Sequence, residues 1–168
     1  VSMSSAAASG GYLVSTHADR VVAQPGTITG SIGVWAGKFV LRDFWSKFGV
    51  AWDEVYFGKN AALGSSLAEF SEEERALFDQ ELDRVYDAFV NQVAEGRNFD
   101  RSTALGAAKG RVWTGRQAIE MGLVDALGGF AASIKVIREL LELPPDDRLD
   151  LTVFPKRKDL ADRILSGD

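Results

Sequence analysis

The chain has 168 residues, a formal net charge of −5, 46% hydrophobic and 26% charged residues, which is the composition of one ordinary globular domain. Its only cationic cluster is residues 156–158 near the end, so a nucleic-acid partner is excluded. Cysteine is absent and His17 is the only histidine, which excludes cysteine nucleophiles, disulfides and nearly all zinc sites; no cofactor or metal is expected.

The first third of the chain predicts one helix and two strands. The helix covers residues 9–18, and the strands cover residues 20–23 and 27–34. Between the strands, residues 24–27 place proline and glycine at the central positions of a type II turn. Glycines in the second strand leave room for another backbone or a substrate.

The next segment predicts a helix, a strand and a loop. Apolar residues have helical spacing over residues 40–48, and Gly49 is placed to end that helix. Residues 50–57 have the composition of a strand, and residues 58–68 form a loop rich in glycine, alanine and serine.

A long amphipathic helix follows the loop. Ser71 and Glu74 have the spacing of a capping box. Apolar residues then recur at threes and fours up to Gly96, which gives one apolar face made of Leu77, Leu82, Val85, Tyr86, Phe89 and Val93.

The last third predicts several short elements. In chain order they are a helix from Asp100 or Ser102 through Ala108, an extended segment at residues 111–113, a helix at 115–121 capped by Thr114, an amphipathic helix at 130–141, a linker at 144–147, an edge strand at 149–154 and a helix at 160–165. Strands that alternate with helices predict an α/β fold.

Ser9 is the candidate nucleophile. It follows a run of alanines and precedes Gly10 and Gly11, so a helix that begins there would present bare backbone N–H groups able to hold an oxyanion. Small-residue runs also occur at close helix contacts, and the run alone leaves both interpretations open. His17 cannot serve as the base, because eight helical residues rise about 12 Å.

A lysine whose pKa is lowered by burial is the remaining base for a serine. Among the seven lysines, Lys59 follows Gly58 in the loop of small residues, and its surroundings suggest a site. The same position also suits an exposed loop lysine, and the residues alone do not decide between these alternatives.

Three separated motifs, in the same order, resemble the signal peptide peptidase A (protease IV) family over about residues 1–130. They are AASGGY at 7–12, ADRVVAQPGTITGSIGV at 18–34, and GRVWTGRQA at 110–118 continuing to GLVDALGG at 122–129. The resemblance implies the ClpP-crotonase fold of stacked ββα units. It also implies a serine endopeptidase with a Ser-Lys dyad that degrades cleaved signal peptides and other hydrophobic peptides.

The resemblance also assigns site residues. Ser9 corresponds to the nucleophile, the Gly10 amide to one oxyanion donor, and Ser31 to the serine that orients the lysine amine. Counted without gaps from Ser9, the base position of short-form relatives is Ala61, and Lys59 is two residues early. In the tandem long form the lysine comes from the N-terminal half. The base is therefore expected outside this chain, with Lys59 as the fallback.

The same resemblance sets the expected organisation. Residues 1–143 correspond to a C-terminal-half peptidase domain without its opening strands, and residues 144–168 to an extension. Peptide substrates, the missing N-terminal half and further copies in a homo-oligomer are the expected partners, and this chain alone is expected to have little activity.

The expected location is the periplasmic face of the bacterial inner membrane. The sequence has no apolar run of about 20 residues that would span a bilayer. Residues 1–3 lack a signal-peptide pattern, so any targeting segment is expected outside the chain.

Two rival functions are weighed against the peptidase. A noncatalytic half of an oligomeric ring would keep the small residues around Ser9 for packing. A crotonase-like acyl-CoA enzyme would need a carboxylate pair and an adenine pocket, and the sequence offers no candidate for either.

Overall fold

The computed structural model describes residues 1–144 and 147–154. The chain divides into two compact units, residues 1–134 and residues 135–168. The described residues form six short strands and six helices, in the order β1 (Ser2–Met3), β2 (Ala6–Ala8), α1 (Gly10–Leu13), β3 (Val22–Ala23), β4 (Ile28–Gly30), α2 (Arg42–Ser46), α3 (Glu72–Arg97), α4 (Arg101–Ala107), β5 (Val112–Thr114), α5 (Gly115–Glu120), β6 (Ala126–Leu127) and α6 (Phe130–Leu140). The predicted α/β class is confirmed at this level.

The strands of the first unit form two three-stranded sheets. One sheet is entirely parallel, in the order β1-β3-β6. In the other, of order β2-β4-β5, β2 is parallel to β4 with Ala8 opposite Gly30, and β5 is antiparallel to β4. Because parallel strands end at the same edge, the residues that follow β2 and β4 come together.

The elements of the first third are shorter than predicted. Helix α1 ends at Leu13, and turns replace the rest of the predicted helix. The predicted strand at residues 27–34 ends at Gly30, because Gly30 and Ser31 both have positive φ, 75° and 51°. The type II turn was wrong, since Gly26 does not have the positive φ that this turn requires.

Two predicted strands were wrong. Residues 50–57 have no ladder partner and run as irregular chain after α2, because a strand pattern needs a neighbouring strand to pair with. Within this segment the Glu54 carboxylate accepts hydrogen bonds from the hydroxyls of Tyr56 and Ser65. Residues 149–154 also form no strand, and the predicted helix at 160–165 lies outside the described residues.

The long helix α3 confirms the capping box. The Glu74 N–H donates to Ser71 Oγ at 3.2 Å, and the Ser71 N–H donates to Glu74 Oε2 at 2.9 Å. Only the C-terminal half of its predicted apolar face is buried, around Phe89 and Val93. Towards its N-terminus, Leu77 and Val85 are 39% and 42% exposed.

Helices α4, α5 and α6 begin close to where the sequence predicts them. Asp100 caps α4 by accepting a hydrogen bond from the Thr103 N–H at 2.7 Å. Thr114 and Gln117 form a second capping box at the start of α5. These local signals are strong because they satisfy backbone N–H groups that a helix itself leaves unpaired.

Tyr12, on α1, ties the first unit together through its buried hydroxyl. The ring is fully buried, and Tyr12 Oη donates to the Leu123 carbonyl at 2.9 Å. Burial raises the pKa of this phenol well above its ordinary value. Tyr86, on α3, provides a contrast, because its buried hydroxyl has no hydrogen-bond partner among the described residues.

The Tyr12→Phe substitution should lower the free energy of unfolding by about 1–3 kcal/mol, because it leaves the Leu123 carbonyl unsatisfied. Tyr86→Phe removes a hydroxyl that has no such bond, so a change below about 0.5 kcal/mol, or a gain, is expected. Urea unfolding of the two variants compares them directly. Equal losses of unfolding free energy in the two variants would contradict a stabilising role for the Tyr12 hydrogen bond.

An ion pair between Arg97 and Asp125 joins α3 to the parallel sheet. Arg97 Nη2 lies 2.7 Å from Asp125 Oδ1, and the Arg97 side chain is only 8% exposed. Asp125 Oδ2 accepts from the Val21 N–H at 2.6 Å. Burial opposes ionisation of Asp125, but the hydrogen bonds from Arg97 and Val21 and the charge of Arg97 hold its pKa below the usual value.

The Asp125 carboxylate should therefore stabilise the fold fully above its unfolded-state pKa of about 3.9, and lose this effect as the pH falls through the lower folded-state value. Asp125→Asn should lower the free energy of unfolding by about 1.5–3 kcal/mol at neutral pH. The difference in this free energy between the variant and the unsubstituted protein should become smaller in acid. Urea titrations at several pH values measure this. Asp87→Asn is the matched control, because Asp87 pairs with Arg101 at the surface. This substitution should change the free energy of unfolding by less than about 1 kcal/mol.

Candidate active site

Ser9 sits at the junction between β2 and α1 in a strained conformation. Its φ is 53° and its ψ is −120°, a combination that costs a residue with a side chain about 1–3 kcal/mol. The Ser9 N–H donates to the Gly30 carbonyl at 2.8 Å. This bond extends the pairing of β2 with β4 to the residue that follows Ala8.

Gly30 and Ser31 form the neighbouring corner of the site. A Cβ on Gly30 would lie 2.6 Å from Trp113 Cδ1, and its φ of 75° is one that side chains disfavour, so both packing and backbone require glycine here. Ser31 follows with φ 51°. Its N–H donates to the Arg111 carbonyl at 2.7 Å, which fixes the Ser31 backbone against the loop before β5.

That loop, residues 108–111, carries Lys109. The Gly110 N–H donates to the Ile32 carbonyl at 2.9 Å. A Cβ on Gly33 would lie 2.8 Å from Gly110 Cα, so the two backbones touch. Lys109 has φ 62° and is exposed. The loop is therefore held firmly beside the segment that contains Ser31.

These three segments and α3 line an open cavity of about 620 Å³, which is the size of a ligand site. Its residues come from Ser9, from the chain after β4, from α3 and from the Lys109 loop, and they are Ser9, Ser31, Gly33, Val34, Trp35, Leu82, Asp83, Tyr86, Lys109 and Gly110. The sequence-predicted residues Ser9 and Ser31 thus line one cavity.

Two hydroxyls that line this cavity, and one N–H of the adjoining residue Gly10, have no partner among the residues that the structure describes. The Ser9 and Ser31 hydroxyls accept and donate no hydrogen bond among the described residues. The Gly10 N–H lies in the first turn of α1, where a helix provides no acceptor. Gly10 is exposed, and a Cβ there would meet nothing within 4 Å. A reacting group could therefore approach the Ser9 hydroxyl and the Gly10 N–H.

The other predicted candidates lie elsewhere. Lys59 Nζ forms a surface ion pair with Glu73 Oε2 at 2.9 Å, with side chains 80% and 76% exposed. Neither Lys59 nor Ala61 lines the Ser9 cavity. His17 is exposed and is likewise absent from the lining.

Sequence reasoning missed Lys109 and the α3 residues of the cavity. Leu82 and Tyr86 were predicted only as members of the apolar face of the long helix, and both line the cavity, while Tyr86 also packs against the core. Lys109 carries no local signal, because its position depends on hydrogen bonds to residues almost 80 positions earlier. The one available hint was the Lys109-Gly110 pair, since glycine marks a turn after a helix.

Comparison with known proteins assigns the family. The family model described as "Peptidase family S49" matches residues 1–144. The chain belongs to peptidase family S49. The matched residues include all three sequence motifs, so the family resemblance predicted from the sequence is confirmed.

The relatives are much longer proteins. A chloroplastic serine protease of Arabidopsis thaliana is 34% identical over 167 residues, which are 99% of this chain and 25% of the relative. Protease 4 of Salmonella typhi is 36% identical over 85% of this chain and 23% of its own length. Protease 4 of Haemophilus influenzae is 33% identical over 87% of this chain and 24% of its own length. The chain spans about a quarter of the length of each.

Two further structural features concern this S49 domain. None of the helices in residues 1–144 and 147–154 has the length and apolar character needed to cross a bilayer. Within the same residues, no group of three or more histidine, aspartate or glutamate side chains is arranged to hold a metal ion.

Lys59→Ala should leave peptide hydrolysis by the full-length S49 protein within about twofold and its stability within about 1 kcal/mol, because an exposed ion pair contributes little. Hydrolysis of a fluorogenic peptide and urea unfolding measure the two quantities. A thousandfold loss of turnover in a folded Lys59→Ala protein would instead identify Lys59 as the base.

Proposed function

We propose that this S49 domain supplies the nucleophile of a serine endopeptidase that uses a Ser-Lys dyad, with Ser9 as the nucleophile. The observation that carries the proposal is the strained Ser9, whose hydroxyl has no partner in the described residues and lines a ligand-sized cavity. Strain of this kind concentrates at functional sites and recurs at nucleophiles on strand-to-helix turns.

In the proposed reaction, Ser9 Oγ attacks the carbonyl carbon of the scissile peptide bond while a neutral lysine amine takes the Ser9 proton. The carbonyl oxygen becomes an oxyanion that accepts a hydrogen bond from the Gly10 N–H. The intermediate collapses, the C–N bond breaks, and the lysine ammonium protonates the leaving amine. Water, deprotonated by the same amine, then hydrolyses the Ser9 ester and restores the enzyme.

Ser31 is the proposed positioning residue for the lysine amine. Its position follows from the parallel pairing of β2 with β4, which brings the residues after Ala8 and Gly30 side by side. The Ser31 backbone is fixed by the bond to Arg111, while the hydroxyl has no partner in the described residues. A hydroxyl held in this way can accept a hydrogen bond from an incoming amine.

The base itself is proposed to come from another part of a longer protein. A lysine acts as a base when burial favours its neutral form. Lys109 lines the cavity but is exposed, and Lys59 is paired with Glu73 at the surface. The three relatives described above are about four times as long as this chain, so they contain further residues able to supply the amine.

The proposed substrates are hydrophobic peptides, including cleaved signal peptides. Val34, Trp35 and Leu82 give the cavity apolar walls, which suit the side chains of such peptides. The proposed architecture is the ClpP-crotonase fold, supported by its two small sheets and their connecting helices. The proposed location is the periplasmic face of the bacterial inner membrane.

Contact with the remaining protein or with further subunits is supported by the uncovered apolar surface of residues 35–57. Trp35, Phe39 and Phe57 are 91%, 82% and 101% exposed. A surface of this kind is typical of an interaction site, and a homo-oligomer is part of the proposal.

The cavity favours the peptidase over its two rivals. A packing serine in a noncatalytic ring half has no need of the strained φ and ψ of Ser9. A crotonase-like enzyme needs a pair of carboxylates at its oxyanion site. Asp83 is the single carboxylate among the residues that line this cavity.

Ser9→Ala in the full-length protein should lower peptide hydrolysis by at least about a thousandfold, because the acyl-enzyme cannot form. The free energy of unfolding should change by less than about 0.5 kcal/mol, because the Ser9 hydroxyl makes no hydrogen bond in the described structure. Hydrolysis assays, fluorophosphonate labelling and urea unfolding measure these effects.

The matched control is Ser4→Ala, since Ser4 is exposed, precedes β2 and does not line the cavity. It should hydrolyse peptides and label with fluorophosphonate as the unsubstituted protein does. Normal turnover in the Ser9→Ala protein would refute the proposed nucleophile.

A further inference from the structure

Lys109 shares an unusual backbone feature with the proposed catalytic residues. Five residues other than glycine have positive φ among those described, namely Ser9, Ser31, Asn98, Lys109 and Glu142. Three of them, Ser9, Ser31 and Lys109, line the same cavity. A lysine in this conformation is less stable than a glycine would be, so Lys109 places a cation at the cavity at a cost in stability.

The surroundings hold Lys109 firmly at its backbone and leave its ammonium free. Its neighbour Gly110 is bonded to Ile32 and packed on Gly33. The Lys109 ammonium makes no ion pair or side-chain hydrogen bond with any residue that the structure describes. Asp83, the other charged residue of the lining, lies on α3 and forms no ion pair with it.

The chemistry of this group indicates a binding role. An ammonium group pairs with anions through its three N–H donors. The cavity accommodates a peptide, and the anion that peptides carry is the carboxylate.

We propose that Lys109 is a substrate-recognition residue that pairs with a carboxylate of the bound peptide, and so makes the Ser9 cleft select for an acidic group at one position. This inference rests on the proposed peptidase function. The carboxylate has two sources, an aspartate or glutamate side chain or the C-terminus of a short peptide, and the two arms of the test distinguish them.

The test measures kcat and KM of the full-length protein on matched fluorogenic peptides of alanine and leucine. In the first arm, glutamate replaces glutamine at each position within three residues of the scissile bond. In the second arm, a free C-terminal carboxylate replaces the C-terminal amide. In one arm the carboxylate peptide should be preferred by about two- to fivefold, mainly through a lower KM, as expected for an exposed ion pair.

Lys109→Gly removes the ammonium and suits the φ of 62°, so this variant should fold. It should abolish the preference, so that the ratio of kcat/KM for the carboxylate peptide to kcat/KM for its uncharged counterpart falls to about one. Lys109→Arg should restore the preference, because it restores the cation. Lys47→Gln is the control for loss of a positive charge, since Lys47 ends α2 and does not line the cavity; it should keep the preference.

Two results would overturn the inference, and they are distinguishable. In the first result, Ser9-dependent hydrolysis is intact, but the ratio of kcat/KM for carboxylate and uncharged peptides is the same in the unsubstituted protein and in the Lys109→Gly protein. The proposed role of Lys109 is then wrong, while the proposed peptidase function is unaffected. If none of the peptides is hydrolysed in a Ser9-dependent manner, the proposed function fails and the inference fails with it.

Discussion

The hydrogen bond from the Ser9 N–H to the Gly30 carbonyl, 2.8 Å long, is the contact on which the site depends. It is the last bond between β2 and β4, and beyond it both strands leave the ladder through residues with positive φ. Because the strands are parallel, Ser9 and Ser31 leave at the same edge. Ser9 and Ser31, the proposed nucleophile and positioning serine, are therefore neighbours through backbone pairing alone.

The strain at this edge has to be offset by the rest of the first unit. Residues held at positive φ cost about 1–3 kcal/mol each and persist only where the surroundings over-determine them. The bonds from Ser31 to Arg111 and from Gly110 to Ile32 supply that restraint locally. Behind them, the buried Tyr12 and the Arg97–Asp125 pair connect the helices to the sheets.

Apolar surface is distributed unevenly over this domain. The C-terminal half of α3 packs into the core, whereas Leu77 and Val85 nearer its N-terminus are partly exposed. Residues 35–57 expose several aromatic rings, and the same chain segment begins at the cavity wall with Val34 and Trp35. A partner that covers this surface, as proposed, would also border the cleft and could bring the lysine base to Ser9.

The sequence by itself determined the features that depend on local chemistry. The capping boxes at Ser71 and Thr114 place the starts of α3 and α5, because each satisfies backbone N–H groups within four residues. The bare backbone after Ser9 identified the candidate nucleophile, and three ordered motifs identified the family that the comparisons show. None of these signals requires a distant residue.

Only the tertiary structure decided which patterned segments became strands and which residues meet at the cavity. Residues 50–57 have the composition of a strand but no neighbouring strand to pair with. Strand β4 ends at Gly30, where Gly30 and Ser31 have positive φ and the Ser31 N–H donates to the distant Arg111 carbonyl. Lys109 lines the same cavity as Ser9 because the residues after it, Gly110 and Arg111, form backbone hydrogen bonds with the segment after β4, almost 80 residues earlier. Such contacts depend on the energy of long-range pairing, which composition and periodicity do not encode.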